Sequence, residues 1–396
     1  MSSFTSLQGN SIDSSLRGAY IASPVKCMLY GRGCINSLPA VISELGASKA
    51  YIITGTSLRE KTPVIKEIED ILKRKDAHAG TYSGVRQHAP IADIHAAIAQ
   101  IKHSGADVLV SVGGGSPIDA AKAVAYNLHQ QTGRWVYSIA VPTTVSVAET
   151  TKNAGFTNEA GDKVGVAGEE LVPRAVLYDG DIALHTPLRL WLSSAIRALD
   201  HALELLYHPS SPETPTKHLA LSALSTLSTL LPQCHAHPHD ADIRQKLFLA
   251  GYSSLFPFQF SSGALGLSHS IGHAIGSPYG IPHGITSCIT LGKVVGYLAE
   301  RGEEVVAGQI ARGLGAVGGG GGSGDVRRDA GEVGRRVQRL VGGLGLGVGL
   351  GDYNVPPGEE EVIAARVLKD REHPDFKAVT ELIRSMYQGG DLRGNI

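Results

Sequence analysis

The stretch VLVSVGGGSPIDAAKAVAYN, residues 108–127, decides the fold. Residues 108–112 form a near-continuous apolar run, the pattern of a strand buried on both faces of a parallel sheet. Three glycines, Ser116 and Pro117 follow, and the spacing then predicts a helix over 118–127. A glycine turn between strand and helix lets backbone approach a phosphate, and the amides of the helix start point at it. Ser116 adds a hydroxyl donor, and Asp119 can cap the helix or bind a ribose. The motif is neither GxGxxG nor a P-loop, because no Lys-Ser/Thr follows at the required place. An ordinary strand–helix turn has the same look, so a second signal matters. Pro142-Thr143-Thr144 closes the next strand, expected at 138–141, and puts further hydroxyls on the same edge of the sheet.

Toward the N-terminus, strands are expected at 26–30, at 49–55 (closing on Gly55) and at 81–85, with helices at 37–45, 64–73 and 91–103. Alternation of this kind predicts a parallel sheet with helices on both faces. Residues 1–24 read as a polar, loosely held arm without the apolar core of a signal peptide. After about residue 181 the pattern turns helical over 187–231, 245–261 and 285–301. The fold class is therefore α/β plus all-α, with an α/β domain over 25–182 and a helical bundle over 183–396. His235-Ala236-His237-Pro238-His239 reads as a surface loop. Within the glycine-rich stretch 313–351, residues 313–324 are expected to be a flexible linker, followed by a basic segment at 325–340 and a helix over 359–369.

The 396 residues carry a net charge of −1, which argues against nucleic acid or an anionic membrane as the main partner. No apolar run approaches the roughly 18 residues that a membrane helix needs. Four cysteines without a CxxC pair suit a reducing compartment, so a cytoplasmic protein is expected.

The chemistry concentrates in GLSHSIGHAIGSPYGIPHG, residues 266–284, and AIRALDHALELLYH, residues 195–208. His269 and His273 are four residues apart, as are Arg197 and His201, so each pair shares a helix face. His283 follows in a Pro-His-Gly turn. Two ordered pairs and that turn are more than packing requires.

With these stretches, GGGSPIDAAKAVA (113–125), VPTTVSVAETT (141–151), LHTPLRLWLSSAIRALDHALE (184–204) and GLSHSIGHAIGSPYGIPHGITSCITL (266–291), the chain resembles the iron-type alcohol dehydrogenase and dehydroquinate synthase-like superfamily, in its maleylacetate reductase-like branch. YGRGC (30–34) and IITGTSL (52–58) match more weakly. The resemblance implies a Rossmann-like domain binding NAD or NADP, a helical catalytic domain, and a homodimer. It implies a pyrophosphate held by Gly113, Gly114, Gly115 and Ser116, with Asp119 beside it. Gly55 and Ser57 would border the cofactor, Thr143, Thr144 and Ser146 would lie near its adenosine side, and Lys163 near the nicotinamide ribose. Gly55 stands where NAD-preferring relatives often carry Asp, so the choice between NAD and NADP stays open.

Metal-dependent relatives bind iron or zinc through one Asp and three His. The His map onto His201, His269 and His283, but the Asp maps onto Arg197. A guanidinium has no lone pair to offer a cation, so a metal is expected to be absent. Asp200 is expected to turn away from the His201 face. Arg197 could instead dock the carboxylate of a keto acid, or pair with Asp200 or Glu204. His273, His269 or His283 would supply a proton to the reduced carbonyl, and His201 would fix the substrate or the arginine. A small keto acid or an aldehyde is the expected substrate. A metal-dependent alcohol dehydrogenase, a non-redox lyase, cyclase or isomerase on the same scaffold, and a non-catalytic binding module remain alternatives.

Overall fold

The computed structural model describes residues 24–87, 89–159 and 163–389 and divides into two compact units. The expected N-terminal arm lies outside the described residues. One unit comprises residues 24–195 and 233–252, the other 196–232 and 253–389. The expected boundary at 182/183 therefore differs from these units, since 183–195 and 233–252 belong with the sheet.

The first unit is built on a six-stranded sheet. Its strands are β1 (Cys27–Tyr30), β2 (Ala50–Thr54), β3 (His78–Tyr82), β4 (Val108–Gly113), β5 (Ser138–Pro142) and, after the antiparallel pair β6 (Asn153–Thr157) and β7 (Lys163–Ala167), β8 (Ala175–Tyr178). The order is β1-β8-β5-β4-β2-β3, and every pairing in this sheet is parallel. The helices are α1 (Leu38–Glu44), α2 (Thr56–Lys61), α3 (Val64–Lys73), α4 (Ile91–Ile101), α5 (Gly115–Thr132) and α6 (Gly180–Ala183). Successive strand residues face opposite sides. Ile52, Val110, Val112 and Ile139 pack with Leu38, Ile42, Ile65 and Leu72 on one side, while Ile53 and Leu109 pack with Ile94, Ile98, Val124 and Leu128 on the other. Both faces are covered, which is why these strands read as continuous apolar runs.

Two expectations shift. The strand expected at 81–85 is β3, centred upstream, because a half-buried edge sequence HAGTY carries no apolar run. Helix α5 begins at Gly115, not at residue 118. Pro117 is tolerated there because amides of the first turn have no intrahelical acceptor.

The second unit is helical. Its elements are α7 (Leu188–Tyr207), whose first residues belong to the sheet unit, α8 (His218–Ala236), whose last residues do, α9 (Ala241–Leu255, again shared), α10 (Leu267–Gly276), α11 (His283–Arg301), α12 (Glu304–Ala311), α13 (Val326–Gly343), α14 (Glu360–Leu368) and α15 (Phe376–Ser385). His235 and Ala236 complete α8, so the histidine tract is a loop only from His237.

The basic segment is α13. It buries Ala330, Val333, Gly334, Val337 and Val341 along one face and crosses α11 closely. A Cβ on Gly334 would lie 2.9 Å from the Gly292 carbonyl oxygen. The glycine-rich segment before it is not a free linker. Arg336 Nη1 donates to the carbonyls of Leu314 (2.9 Å), Val317 (3.0 Å) and Gly319 and pins the turn. No helix among the described residues is long and apolar enough to cross a membrane.

Candidate active site

In the sheet unit, β2 leads toward β3 on one side and β4 leads through α5 to β5 on the other. The chain thus changes direction between β2 and β4, and the carboxyl ends of such strands form a ligand crevice. Gly55 follows β2 there, and Gly113–Ser116 follow β4. Thr54 Oγ1 donates to the Val112 carbonyl at 2.8 Å and ties the two ends together.

Gly113 has φ +145°, and a Cβ on it would lie 2.7 Å from Pro117 Cγ, so the turn requires glycine. A Cβ on Gly114 would press against Thr144 at 3.1 Å, and one on Gly115 would lie 3.5 Å from Ser146 Oγ. Thr144 Oγ1 and Ser146 Oγ are buried without protein partners. Two orphan hydroxyls beside the first amides of an 18-residue helix fit an anionic ligand such as a pyrophosphate.

Other expected residues do different work. Asp119 Oδ2 accepts from the Gly155 amide at 3.3 Å and so braces β6; inside α5 it cannot cap the helix. Thr143 engages through its backbone, its amide donating to the Gly113 carbonyl and its carbonyl accepting from Thr186 Oγ1. Ser57 is exposed on α2. The side chain of Lys163 lies outside the described residues.

In the helical unit, Arg197, Asp200, His201 and Glu204 occupy one face of α7, at the i, i+3, i+4, i+7 spacing of a helix stripe. All four are buried. The expectation that Asp200 turns away is therefore wrong, because residues three apart are neighbours on a helix surface. Asp200 Oδ2 accepts from Ser268 Oγ at 2.9 Å and Ser287 Oγ at 2.6 Å. Glu204 caps α10, accepting from the amides of Gly266 (2.6 Å), Ser268 (2.9 Å) and His269 (3.3 Å). A carboxylate there meets the donor-rich end of the helix. Burial nonetheless pushes its carboxyl up to about 7.

His269 Nδ1 lies 2.8 Å from Glu204 Oε2, but out of line for a hydrogen bond. Its ring stacks on His201 with centroids 4.7 Å apart. Burial, and then the Arg197 charge, drives His269 down to about 3. Burial, His269 and Arg197 hold His201 well below the ordinary imidazole range. Both rings are neutral near pH 7.

Arg197 Nη1 donates to Thr286 Oγ1 at 3.4 Å and Ser287 Oγ at 3.2 Å. Gly272 makes room for Thr286, since a Cβ there would lie 3.0 Å from its Oγ1. Burial lowers the guanidinium pKa, but an arginine keeps its charge in a protein. Nε has no protein partner. Among the described residues both protein acceptors of the guanidinium sit on Nη1. His273 and His283 form a separate, more accessible pair, exposed and half-buried, with ring centroids 5.7 Å apart.

Residues 26–180 match the family model described as iron-containing alcohol dehydrogenase, and 192–386 match the C-terminal model of the same family. The chain belongs to the iron-containing alcohol dehydrogenase family. It is 30% identical over 221 residues to maleylacetate reductase 1 of Rhodococcus opacus, covering 56% of this chain and 58% of that protein. It is 27% identical over 255 residues to the NAD-dependent methanol dehydrogenase of Bacillus methanolicus, covering 61% of this chain and 66% of that one. The chain thus spans less than two thirds of the length of these two relatives. The crystal structure of maleylacetate reductase from Agrobacterium tumefaciens superposes with a TM-score of 0.78 at 23% identity, covering 94% of this chain and 98% of that one.

The family name implies iron, and the resemblance sets its ligands at position 197 and at His201, His269 and His283. Position 197 contributes a buried cation where a carboxylate ligand is called for. Among the described residues, the group able to converge three ligand atoms within 4.8 Å is Asp200, Glu204 and His269; the trio His201, His269 and His283 forms no such group. Within that group Asp200 Oδ2 accepts from two hydroxyls and Glu204 from three amides, while Asp200 Oδ1 and both His269 ring nitrogens have no protein hydrogen-bond partner.

Sequence reasoning missed Glu204 as a helix cap and Ser268, Thr286 and Ser287 altogether. The stripe 197/200/201/204 was a usable signal for Glu204. Lone hydroxyls on two other helices offered none.

Proposed function

We propose that this protein is an NAD(P)H-dependent reductase of a small keto acid, of the maleylacetate type, working without a catalytic metal. One observation carries the reading: a buried guanidinium with its Nε edge free of protein acceptors. An arginine held in that way suits a carboxylate, because the planar fork donates to two oxygens along one edge. The maleylacetate reductases among its relatives, as their name states, reduce maleylacetate.

The glycine turn at 113–115, with Ser116, Thr144 and Ser146, would hold the pyrophosphate of a nicotinamide dinucleotide. When bound, that cofactor supplies the hydride. Gly55 presents no carboxylate to repel a 2′-phosphate, so both NADH and NADPH belong in the assay. Arg197 fixes the acid group and lends positive charge where the carbonyl oxygen becomes negative. His201 and His269 stay neutral beside it and do not compete for the anion. The accessible pair His273 and His283 supplies the proton and regains it from water.

The test is nicotinamide oxidation with keto acids and aldehydes, using each cofactor, before and after exhaustive chelation with elemental analysis of the same sample. The result expected is preference for an acid and activity that survives chelation. A stoichiometric metal required for turnover would replace this reading by a metal-dependent alcohol dehydrogenase. Product formation without nicotinamide oxidation would replace it by non-redox chemistry.

A further inference from the structure

Arg197 and Asp200 carry opposite charges, are both buried, and lie three residues apart on one face of α7. Arg197 Nε and Asp200 Oδ1 each lack a protein partner. A direct ion pair would satisfy both, yet among the described residues no carboxylate oxygen comes within ion-pair distance of the guanidinium. Ser287, on α11, touches both. Its Oγ lies 2.6 Å from Asp200 Oδ2 and 3.2 Å from Arg197 Nη1.

Proton counting fixes the direction. A serine hydroxyl has one proton. Asp200 has none to give when ionised, so that proton goes to the carboxylate and the hydroxyl oxygen accepts from Arg197. Thr286 behaves alike, giving its proton to the His283 carbonyl at 2.7 Å and accepting from Nη1. Ser268 holds Asp200 from α10.

We propose that Ser287 is a spacer that keeps Asp200 from closing on Arg197, so that an internal counter-charge is present while Nε stays unpaired for a substrate carboxylate. The proposal rests on reading Arg197 as the carboxylate site. Ser287 is a positioning residue. Without its hydroxyl, Asp200 swings onto the guanidinium and competes with the incoming anion.

The experiment is calorimetric titration of malonate into the full chain saturated with oxidised nicotinamide dinucleotide. It uses wild type, Ser287→Ala, Asp200→Asn, the double variant and Arg197→Met, each first checked for a cooperative thermal transition. Ser287→Ala is expected to weaken malonate about tenfold, by letting a charge-assisted hydrogen bond form internally. Asp200→Asn is expected to bind as tightly as wild type or a few-fold tighter. In its background Ser287→Ala should have almost no effect, a non-additivity that a merely structural serine would not show. If the loss from Ser287→Ala persists in the Asp200→Asn background, or never occurs, the spacer is overturned. If Arg197→Met binds malonate like wild type, the carboxylate reading itself falls, whatever the serine does.

Discussion

Two of the buried cations, Lys122 in the sheet unit and Arg197 in the helical unit, are treated oppositely by their surroundings. Lys122 on α5 is fully buried, and its three donors meet four oxygens: the carbonyls of Ala148 (2.6 Å), Thr151 (2.7 Å) and Asn153 (2.9 Å), and Thr151 Oγ1 (3.1 Å). Arg197 is nearly as buried, yet it has five N–H donors and two protein acceptors, at 3.2 and 3.4 Å. Burial alone therefore does not mark function. A saturated cation is a staple, here fixing 148–153 onto α5. We read a cation buried with most of its donors to spare as a receptor, because an unpaired buried donor is costly unless a ligand completes it.

The largest expected effect separates these roles by stability. Lys122→Met leaves several carbonyl oxygens buried without a donor and is expected to cost about 3–5 kcal/mol. Arg197→Met gives up only two long hydrogen bonds but leaves Asp200 buried without its counter-charge, and is expected to cost about 1–3 kcal/mol, less than Lys122→Met. Urea midpoints at matched pH measure both. Equal losses would erase the distinction between staple and receptor.

A smaller effect sharpens the staple side. Glu149 is fully buried, its Oε1 accepts from Tyr178 Oη at 2.6 Å, and burial pushes its carboxyl from the ordinary 4.5 up to about 7. Between those values the folded protein retains a proton that the unfolded chain has released. Stability from this group is therefore lost as pH rises through that window and levels off above it. Glu149→Gln has no such titration. Its stability relative to wild type should rise by about 3 kcal/mol between pH 4.5 and 7.5, read from urea midpoints across pH. A difference flat in pH would show that the carboxyl titrates normally.

Much of the α/β architecture was legible because buried parallel strands are apolar runs and the glycine turn after β4 is unmistakable. The edge strand β3 was misplaced for want of such a run. The start of α5 was misplaced because glycine and proline read as loop, although a first turn accommodates both. In the helical unit the i,i+4 pairs led straight to Arg197, His201 and His269. Asp200 was misread by treating three residues as a half-turn when they make nearly a full one. Ser287 was invisible for a different reason: only tertiary folding brings residue 287 to residue 200. The pinned turn before α13 was likewise hidden, since nothing local announces that Arg336 reaches back to three carbonyls.

The most direct measurement of the receptor reading is the ratio of kcat/KM for a keto acid to that for its neutral methyl ester, in wild type and in Arg197→Met. Wild type should favour the acid, and the variant should lose about 10–100-fold of that preference, the worth of a charge-assisted bidentate contact. An acid preference undiminished in Arg197→Met would contradict the reading, and the bare edge of the guanidinium would then serve no substrate.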